Sequence, residues 1–149
     1  MKAYLTRRYL FSASHRLHSD ELSAAENQSI YGKCNNPHGH GHNYFLEVTV
    51  SGQVDDRTGM ICNLVDLDGC VQKEILERFD HQNLNTLPDF VDAVPTTESL
   101  CIRAYEILRQ KFSYAHLDRV RIEETMMNSF EYRGPGDQGN TVPSAFVQL

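Results

Sequence analysis

Residues 38–50 read His38-Gly39-His40-Gly41-His42-Asn43-Tyr44-Phe45-Leu46-Glu47-Val48-Thr49-Val50, so a run of alternating histidines leads directly into an alternating apolar segment. From residue 44 onward the even positions are apolar or aromatic, whereas the odd positions include glutamate and threonine. Because successive side chains of a strand point to opposite faces, this period of two predicts a β-strand over residues 42–54. The three histidines share one parity, so in an extended chain they would project to the same side.

Three further segments show the periodicity of strands. Residues 3–14 have apolar side chains at alternating positions, and His15 continues that parity at the strand's end. The apolar positions are Leu5, Tyr9, Phe11 and Ala13. Residues 118–127 predict a third strand, and residues 129–133 predict a short fourth one.

Two segments show helical periodicity. Residues 66–79 have an apolar side chain at every fourth position, which predicts a helix. These positions are Leu67, Val71, Ile75 and Phe79. A second helix is predicted to begin near Thr96, which can cap it directly after Pro95. Its apolar stripe comprises Leu100, Ala104, Ile107 or Leu108, and Phe112.

The predicted order of elements, β-β-α-α-β-β, is typical of an α+β domain with a mostly antiparallel sheet and two helices on one face. Residues 18–37 and 80–95 are predicted to be loops, and the first is long enough to suggest a functional role. Four strands with one covered face leave open edges, so we expect the chain to form a homo-oligomer. We expect the domain to span residues 1–133, and residues 134–149, which contain three glycines and two prolines, to form a tail.

Composition narrows the class of protein. The 149 residues include 20 acidic and 14 basic side chains, and a net charge of −6 argues against a nucleic-acid-binding surface. The four cysteines form no C-x-x-C pair, no signal-peptide core is present, and no stretch approaches the roughly 18 apolar residues of a membrane span. We therefore expect a soluble, cytoplasmic protein with reduced cysteines and no membrane partner. A small anionic ligand is compatible with this charge, because Arg7, Arg8, Arg16 and Lys33 lie near the histidines in sequence.

The alternating histidines have the spacing of metal ligands. In a strand, side chains two residues apart share a face, with Cα atoms about 6.6–7 Å apart, so two imidazoles can converge on one ion. Spacing alone does not select two of His38, His40 and His42. His15 is the best third ligand, because it ends the strand that is expected to pair with residues 42–54. Three protein ligands and an open fourth position are typical of catalytic zinc, and a histidine-rich loop without a metal is the alternative.

Cys34, Asp80 and His81 are candidates for proton transfer. Cys34 lies in a polar turn beside Lys33 and near the histidines, where a lowered pKa would let its thiolate act as a base or nucleophile. The alternatives are an ordinary loop cysteine and a metal ligand. Asp80 and His81 close the first predicted helix and form either a proton relay, in which the carboxylate fixes the imidazole tautomer, or a solvated helix end.

Glu124 interrupts an apolar face of the third predicted strand. The apolar positions that share its parity are Val120, Ile122 and Met126. A buried carboxylate must be paired or hydrogen-bonded. A ligand with two parallel N–H donors, such as the edge of a 2-aminopyrimidinone ring, would satisfy it, and the alternative is a salt bridge to Arg121 or Arg133.

Eight blocks of the sequence carry a resemblance to a known family. They comprise residues 11–17, 31–44, 58–60, 63–64, 66–67, 80–84, 96–98 and 124–125. In this order they resemble the 6-pyruvoyl-tetrahydropterin synthase family over residues 5–133. The resemblance implies a tunnelling fold, in which β-β-α-α-β-β units assemble into a trimeric barrel and usually into a hexamer, with active sites between subunits.

The resemblance also implies a role for each candidate residue. It selects His15, His40 and His42 as the zinc ligands and leaves His38 outside the set. It makes Cys34 the general base and gives it partners in Asp80 and His81. The residues that would contact the pterin are Glu124, Glu98, Thr96 and Thr97.

The implied activity is that of a carbon–oxygen lyase of tetrahydrobiopterin biosynthesis, which converts 7,8-dihydroneopterin triphosphate to 6-pyruvoyl-tetrahydropterin and triphosphate. The alternative within the family is 6-carboxy-tetrahydropterin synthase of queuosine biosynthesis. In that branch the cysteine usually stands four residues before the first H-x-H ligand. Cys34 stands six residues before His40, which favours the pyruvoyl branch, although it stands four before His38. A non-catalytic pterin- or metal-binding module is the third interpretation.

Overall fold

The computed structural model describes residues 1–137 and 144–145, and its centre is a five-stranded mixed sheet. The strands are β1 (Lys2–His15), β2 (His40–Gln53), β3 (Gln82–Asn83), β4 (His116–Thr125) and β5 (Asn128–Tyr132). The helices are α1 (Ala24–Tyr31), α2 (Leu64–Val71), α3 (Glu77–Phe79) and α4 (Thr97–Lys111). The sheet order is β3-β1-β2-β4-β5, and the strands are antiparallel except for β1 and β3. The α+β prediction is therefore confirmed, with one short parallel strand added.

The predicted domain boundary falls near the limit of the described residues. Most of the predicted tail, residues 134–149, lies outside them. The division into a domain over residues 1–133 and a tail stays a prediction.

The long antiparallel pair of β1 and β2 sets the geometry of the molecule. Its register runs from Lys2 opposite Gln53 to His15 opposite His40. The last residue of β1 therefore lies opposite the first residue of β2. Because side chains alternate along each strand, the histidines at this end share the face of the apolar residues that precede or follow them.

Apolar side chains of the sheet and two helical segments form the core. The predicted apolar positions of β1, β2 and β4 that are buried include Phe11, Ala13, Tyr44, Leu46, Val48, Val50, Val120 and Ile122. The predicted helical stripes meet them and are buried as well, with Leu67, Val71, Ile75 and Phe79 from one helical segment and Leu100, Ala104, Ile107, Leu108 and Phe112 from the other. The opposite face of the sheet carries no helix in the described part of the chain.

The first helical segment begins at Leu64, two residues earlier than predicted, because the Asn63 side chain accepts a hydrogen bond from the Val65 N–H. A π-helical segment, Gln72–Leu76, joins α2 to α3. Apolar residues four apart would drift by about 40° per step around an ideal α-helix. The wider π turn reduces this drift, so the whole stripe faces the core.

Three further predictions from the sequence were wrong in detail. Residues 80–95 are not wholly a loop, because they contain β3 and two 3₁₀ turns, Leu84–Thr86 and Pro88–Phe90. Residues 18–37 are not an irregular loop, because they contain α1 and a 3₁₀ turn, Gly32–Asn35. The third strand ends at Thr125 rather than at residue 127. Met126 lies in the β4–β5 turn with 94% of its surface exposed, so it does not belong to the apolar face on which Glu124 lies.

The sheet has an open edge and an open face. β1 pairs with β3 only at Ala13 and Ser14, so most of the outer edge of β1 has no partner strand within the described residues. The open face carries alternating charges, in which Glu47 lies 3.3 Å from Arg8 and 2.8 Å from Arg121. No helix in the described residues is long and apolar enough to cross a membrane.

Candidate metal centre and active site

Three histidines converge at the end of the helix-covered face. His15 ends β1, while His40 and His42 begin β2 on the same side of the sheet. One ring nitrogen from each lies within 4.8 Å of the other two. The Nε2 atoms of His15 and His40 are 3.2 Å apart. Two nitrogen ligands at about 2.0–2.1 Å from a tetrahedral ion are about 3.3–3.4 Å apart, so this spacing fits a shared metal.

The protonation state of the triad suits a metal as well. The Nδ1 atom of His15 lies 2.8 Å from the carbonyl oxygen of Pro95, which can only accept, so Nδ1 donates and Nε2 keeps its lone pair. Burial lowers the pKa of His15 and of His42, which favours the neutral imidazoles that metals require. His42 Nε2 is buried and has no hydrogen-bond partner among the described residues. A metal would satisfy this orphaned atom.

Gly39 brings the two strands into close contact beside the triad. Its φ of +71° lies in the left-handed region, and a Cβ added there would lie 3.0 Å from the carbonyl oxygen of His15. The chain therefore passes His15 without strain only with glycine at this position. His38, one residue before, is exposed and is not part of the converging group. The structure thus brings together the three histidines that the resemblance selected from the four.

Glu124 lies next to the triad rather than in a salt bridge with arginine. Its Oε1 atom is 3.1 Å from His42 Nε2, without hydrogen-bond geometry, and 3.8 Å from His15 Nε2. Its Oε2 atom accepts a hydrogen bond from the Asn128 side chain at 3.0 Å. The side chain is 14% exposed. The alternative interpretation from sequence is wrong, since its candidate arginines pair with other carboxylates, Arg121 with Glu47 and Arg133 with Glu131.

Cys34 and Glu124 line one cavity of about 600 Å³, together with the first turn of α4. Burial raises the pKa of the Cys34 thiol, and the negative charge of Glu124 raises it further. The sequence led us to expect a lowered pKa for Cys34. In the protein without a metal, burial and the charge of Glu124 raise it instead. A dication held by the triad would oppose both effects.

The start of α4 supplies further polar groups to this cavity. Thr96, Thr97 and Glu98, to which the resemblance assigns contacts with the pterin, all line it. The Thr96 hydroxyl caps the helix by accepting from the Ser99 N–H at 3.1 Å, so its capacity is partly used. The buried hydroxyls of Thr97 and Tyr44 lie close to each other, but neither makes a well-formed hydrogen bond within the described residues. The Thr97 hydroxyl therefore keeps hydrogen-bonding capacity that a ligand could use.

Asp80 and His81 do not reach this cavity within one chain. Asp80 accepts a hydrogen bond from the Ser12 N–H at 2.9 Å, which lowers its pKa, and its Oδ1 lies 2.9 Å from His81 Nδ1. The two side chains therefore pair as a relay requires. His81 has a φ of 59° and an 82% exposed side chain, and it lines a separate cleft with Ser12 and Asn43 on the open face of the sheet.

Sequence periodicity missed the apolar wall of the Cys34 cavity. That wall consists of Leu17, Leu22, Ile30, Tyr31 and Phe130. Part of it belongs to α1, whose start has a recognisable signal in Ser23 and Glu26. These residues form a capping box, in which each side chain bonds the other's backbone N–H. Apolar walls with a few polar groups at one end suit a flat heteroaromatic ring.

Comparison with known proteins agrees with this geometry. The family model described as 6-pyruvoyl tetrahydropterin synthase matches residues 4–135. The chain belongs to this family. A 6-pyruvoyl tetrahydrobiopterin synthase from Poecilia reticulata is 48% identical over 132 residues, which cover 88% of this chain and 90% of that protein.

A solved structure supports the family assignment at the level of the fold. The 6-pyruvoyl tetrahydropterin synthase of Caenorhabditis elegans superposes with a TM-score of 0.85 at 40% identity, covering 90% of this chain and 96% of that one. The carboxy branch is more distant. A putative 6-carboxy-5,6,7,8-tetrahydropterin synthase from Archaeoglobus fulgidus is 35% identical over 106 residues, covering 71% of this chain and 84% of that protein.

Proposed function

We propose that the chain is a zinc-dependent 6-pyruvoyl-tetrahydropterin synthase, a lyase that converts 7,8-dihydroneopterin triphosphate to 6-pyruvoyl-tetrahydropterin and triphosphate. One observation carries the proposal: three imidazoles converge beside a cavity that contains a carboxylate and a thiol. Relatives that are 44–48% identical carry the pyruvoyl name, and the spacing of six residues from Cys34 to His40 is that of the same branch.

Glu124 is proposed to anchor the pterin ring. The 2-aminopyrimidinone edge of a pterin presents two parallel N–H donors, and a carboxylate accepts both in a planar arrangement. The Glu124 carboxylate lies in the cavity and accepts only one side-chain hydrogen bond from the described residues, that of Asn128. The Thr97 hydroxyl and Glu98 at the start of α4 supply further polar contacts, and Thr96 contributes the part of its hydroxyl capacity that the helix cap leaves free.

His15, His40 and His42 would hold zinc next to Glu124, beside the cavity that this carboxylate lines. When bound, zinc would act as a Lewis acid that acidifies the two side-chain hydroxyls of the substrate and the neighbouring C–H groups. The Pro95 carbonyl keeps His15 oriented through the bond to Nδ1, which maintains Nε2 as a ligand.

Cys34 is proposed to be the base that removes a proton from the substrate side chain. It lines the same cavity as Glu124, so a ring held by that carboxylate would lie in the cavity onto which the thiol opens. The side chain loses triphosphate by elimination, and its oxidation to the diketone is balanced by reduction of the ring. A thiolate base requires a reduced cysteine, which supports a cytoplasmic location.

We further propose that the active site is completed by a second copy of the chain. His81, which pairs with Asp80, lines a cleft on the open face of the sheet, whereas Cys34 lines a cavity on the helix-covered side. The largely unpaired edge of β1 offers a surface for strand pairing with a neighbour. A trimeric barrel, or a hexamer of two such trimers, would bring His81 of one copy towards Cys34 of another.

Product analysis tests the proposed function. Zinc-loaded wild type should convert 7,8-dihydroneopterin triphosphate to the 6-pyruvoyl product and release triphosphate. Cys34→Ala should abolish turnover while zinc binding persists. Cys62→Ala is the matched control, because Cys62 is also half-buried, and burial and a neighbouring carboxylate raise its pKa as well.

The alternatives make different predictions in the same assay. A 6-carboxy product would reject the pyruvoyl branch. Full activity of Cys34→Ala would reject Cys34 as the base. A non-catalytic binding module would bind the pterin without forming any product.

A further inference from the structure

Arg16 is a half-buried cation for which the described chain supplies no anion. Every arginine in residues 1–137 has a carboxylate oxygen within 4.0 Å except Arg16 and Arg109. Arg109 is exposed in the last turn of α4, where a positive charge complements the helix dipole. Arg16 is half-buried and lies outside any helix, so neither full hydration nor a dipole stabilises its charge. In a chain with a net charge of −6, this residue indicates an external anionic partner.

The backbone and stem of Arg16 are held in place while its terminal nitrogens stay free. Its N–H donates to Asn85 Oδ1 at 2.7 Å, and its carbonyl accepts from Asn85 Nδ2 at 2.8 Å. Its Nε donates to the Asn35 carbonyl at 3.1 Å. Neither Nη atom makes a hydrogen bond within the described residues. A guanidinium held in this way presents a preorganised fork for a phosphate or carboxylate.

The cavity beside Arg16 has the composition of an anion site. It has a volume of about 280 Å³ and joins Arg16 to His15 and His38. Its remaining lining residues are Ser14, Pro37, Gly39, Asn83 and Asn85, so no carboxylate contributes to it. His38 is the histidine that the converging group leaves out, and here it has a place beside a cation.

We propose that Arg16 and His38 form the subsite for the triphosphate group of the substrate, an inference that rests on the proposed function. Arg16 directly follows His15, so their Cα atoms are about 3.8 Å apart. In the substrate, the carbon that bears the triphosphate is adjacent to a carbon that bears one of the hydroxyls assigned to the metal. The triphosphate must therefore begin within a few bonds of the histidines, which is the distance that a neighbouring arginine spans.

The subsite also explains how the leaving group departs. In the elimination, the base takes a proton from the carbon next to the ester, a C=C bond forms, and the C–O bond breaks. Its electron pair leaves on the triphosphate oxygen. A guanidinium fork that faces this oxygen stabilises the developing negative charge.

Arg16 also lines a second cleft, which is less suitable for a triphosphate group. That cleft also contains Asp20, Glu21 and Asp92, which would repel a polyanion. We therefore assign the triphosphate to the 280 Å³ cavity that Arg16 lines together with His38.

Binding of inorganic triphosphate tests this inference without turnover. Because triphosphate chelates zinc, the affinity is measured on the metal-free protein by calorimetry at low and moderate salt. Arg16→Gln and His38→Gln should weaken binding, the first by about 10–100-fold, as expected for loss of a charge-assisted hydrogen bond. Arg109→Gln, which removes the other unpaired arginine, should bind like wild type. Arg16→Lys keeps the positive charge but lacks the forked guanidinium. If Arg16→Gln does not fold, the inference is tested with Arg16→Lys, which should bind triphosphate more weakly than wild type.

The outcomes separate this inference from the proposed function. No binding to wild type, equal affinity in Arg16→Gln, or an equal loss in Arg109→Gln would overturn the subsite, whatever the turnover. A loss confined to Arg16 and His38 variants in a protein that forms no pterin product would support the anion site and reject the proposed function. With both correct, Arg16→Lys should also raise KM for the triphosphate substrate.

Discussion

Replacing Gly39 with alanine should destabilise the protein and weaken its metal site, whereas the same change at Gly41 should do neither. Gly39 has a φ of +71°, a left-handed conformation that costs a residue with a Cβ about 1–2 kcal/mol. The new Cβ would also lie 3.0 Å from the His15 carbonyl oxygen, a backbone atom that cannot move aside alone. At Gly41 the φ is not left-handed, and the Cβ would meet Ala13 O at 3.4 Å, an ordinary contact.

The two variants therefore differ by strain at a single point of the same motif. For Gly39→Ala we expect the free energy of unfolding to fall by about 1–2 kcal/mol, which reduces the ratio of folded to unfolded protein by about 5–30-fold. For Gly41→Ala the lower entropy of the unfolded chain offsets any small contact cost, so the change should stay within about 1 kcal/mol.

Metal binding should respond in the same order. A displacement of Gly39 moves the backbone of His15 relative to His40, whose Nε2 atoms are 3.2 Å apart. We expect the dissociation constant for zinc to rise by about 10-fold or more in Gly39→Ala, the size of effect seen when groups that support a metal ligand are lost. Urea unfolding of the metal-free variants and competition with a chelator measure the two quantities. Equal losses in both variants would show that the left-handed φ and the close contact with His15 are not what constrains this segment.

Three further predictions concern side chains in the cavity or next to it. Glu124→Gln should leave zinc stoichiometry unchanged and weaken pterin binding by about 1.5–3 kcal/mol, because a charge-assisted pair of hydrogen bonds is lost; unchanged affinity in a fluorescence titration would reject the anchor. Since the pKa of Cys34 is raised in the protein alone, its alkylation should accelerate only at alkaline pH, and zinc should shift that rise to lower pH; mass spectrometry locates the alkylated residue, and an identical pH profile with and without zinc would contradict the effect of the metal. Tyr44→Phe removes a buried hydroxyl that lies beside the Thr97 hydroxyl but makes no well-formed hydrogen bond within the described residues, so the free energy of unfolding should change by less than about 1 kcal/mol; a larger loss on urea unfolding would mean that the hydroxyl is firmly bonded.

The faces of the strands could be predicted from the sequence, but their register could not. Alternation alone placed His15, Phe11 and Ala13 on one face, because side chains two residues apart in a strand always point to the same side. Which histidine lies opposite His15 depends on how the long connection over residues 16–39 closes, and no local pattern encodes that. The register that sets His15 opposite His40 is therefore a property of the folded chain.

Helix α1 was not predicted from the sequence, because it has no stripe of buried apolar side chains. Its one buried residue is Asn27, whose side chain accepts from the Ser19 N–H and donates to the carbonyls of Ser19, Leu22 and Ser23. A search for apolar periodicity cannot detect a helix that is fixed by a polar side chain. The capping box at Ser23 is the local signal that remains.

The pKa of Cys34 shows a different limit of sequence reasoning. In sequence the nearest charge is Lys33, which would lower the pKa of the thiol. In the fold the charge that acts on the thiol is that of Glu124, 90 residues away along the chain, and it raises the pKa together with burial. Electrostatics at this site depends on the pairing of β2 with β4, which brings Glu124 beside the histidines.

Separation of Cys34 from His81 within one chain leads to a last prediction, that two inactive variants complement each other. Cys34→Ala and His81→Ala should each abolish turnover. If each site takes Cys34 from one copy and His81 from the next, random assembly of equal amounts of the two variants creates intact sites at about one interface in four. Co-refolded mixtures should then reach about one quarter of wild-type activity.

Complementation distinguishes the shared site from a site within one chain. If Cys34 and His81 of the same chain acted together, every site in the mixture would carry one defect, and activity would stay at the level of the single variants. Native mass spectrometry must show mixed oligomers for the comparison to hold. A mixture that contains them and remains inactive would contradict the shared site, and would confine His81 and its partner Asp80 to the open-face cleft that His81 lines in the single chain.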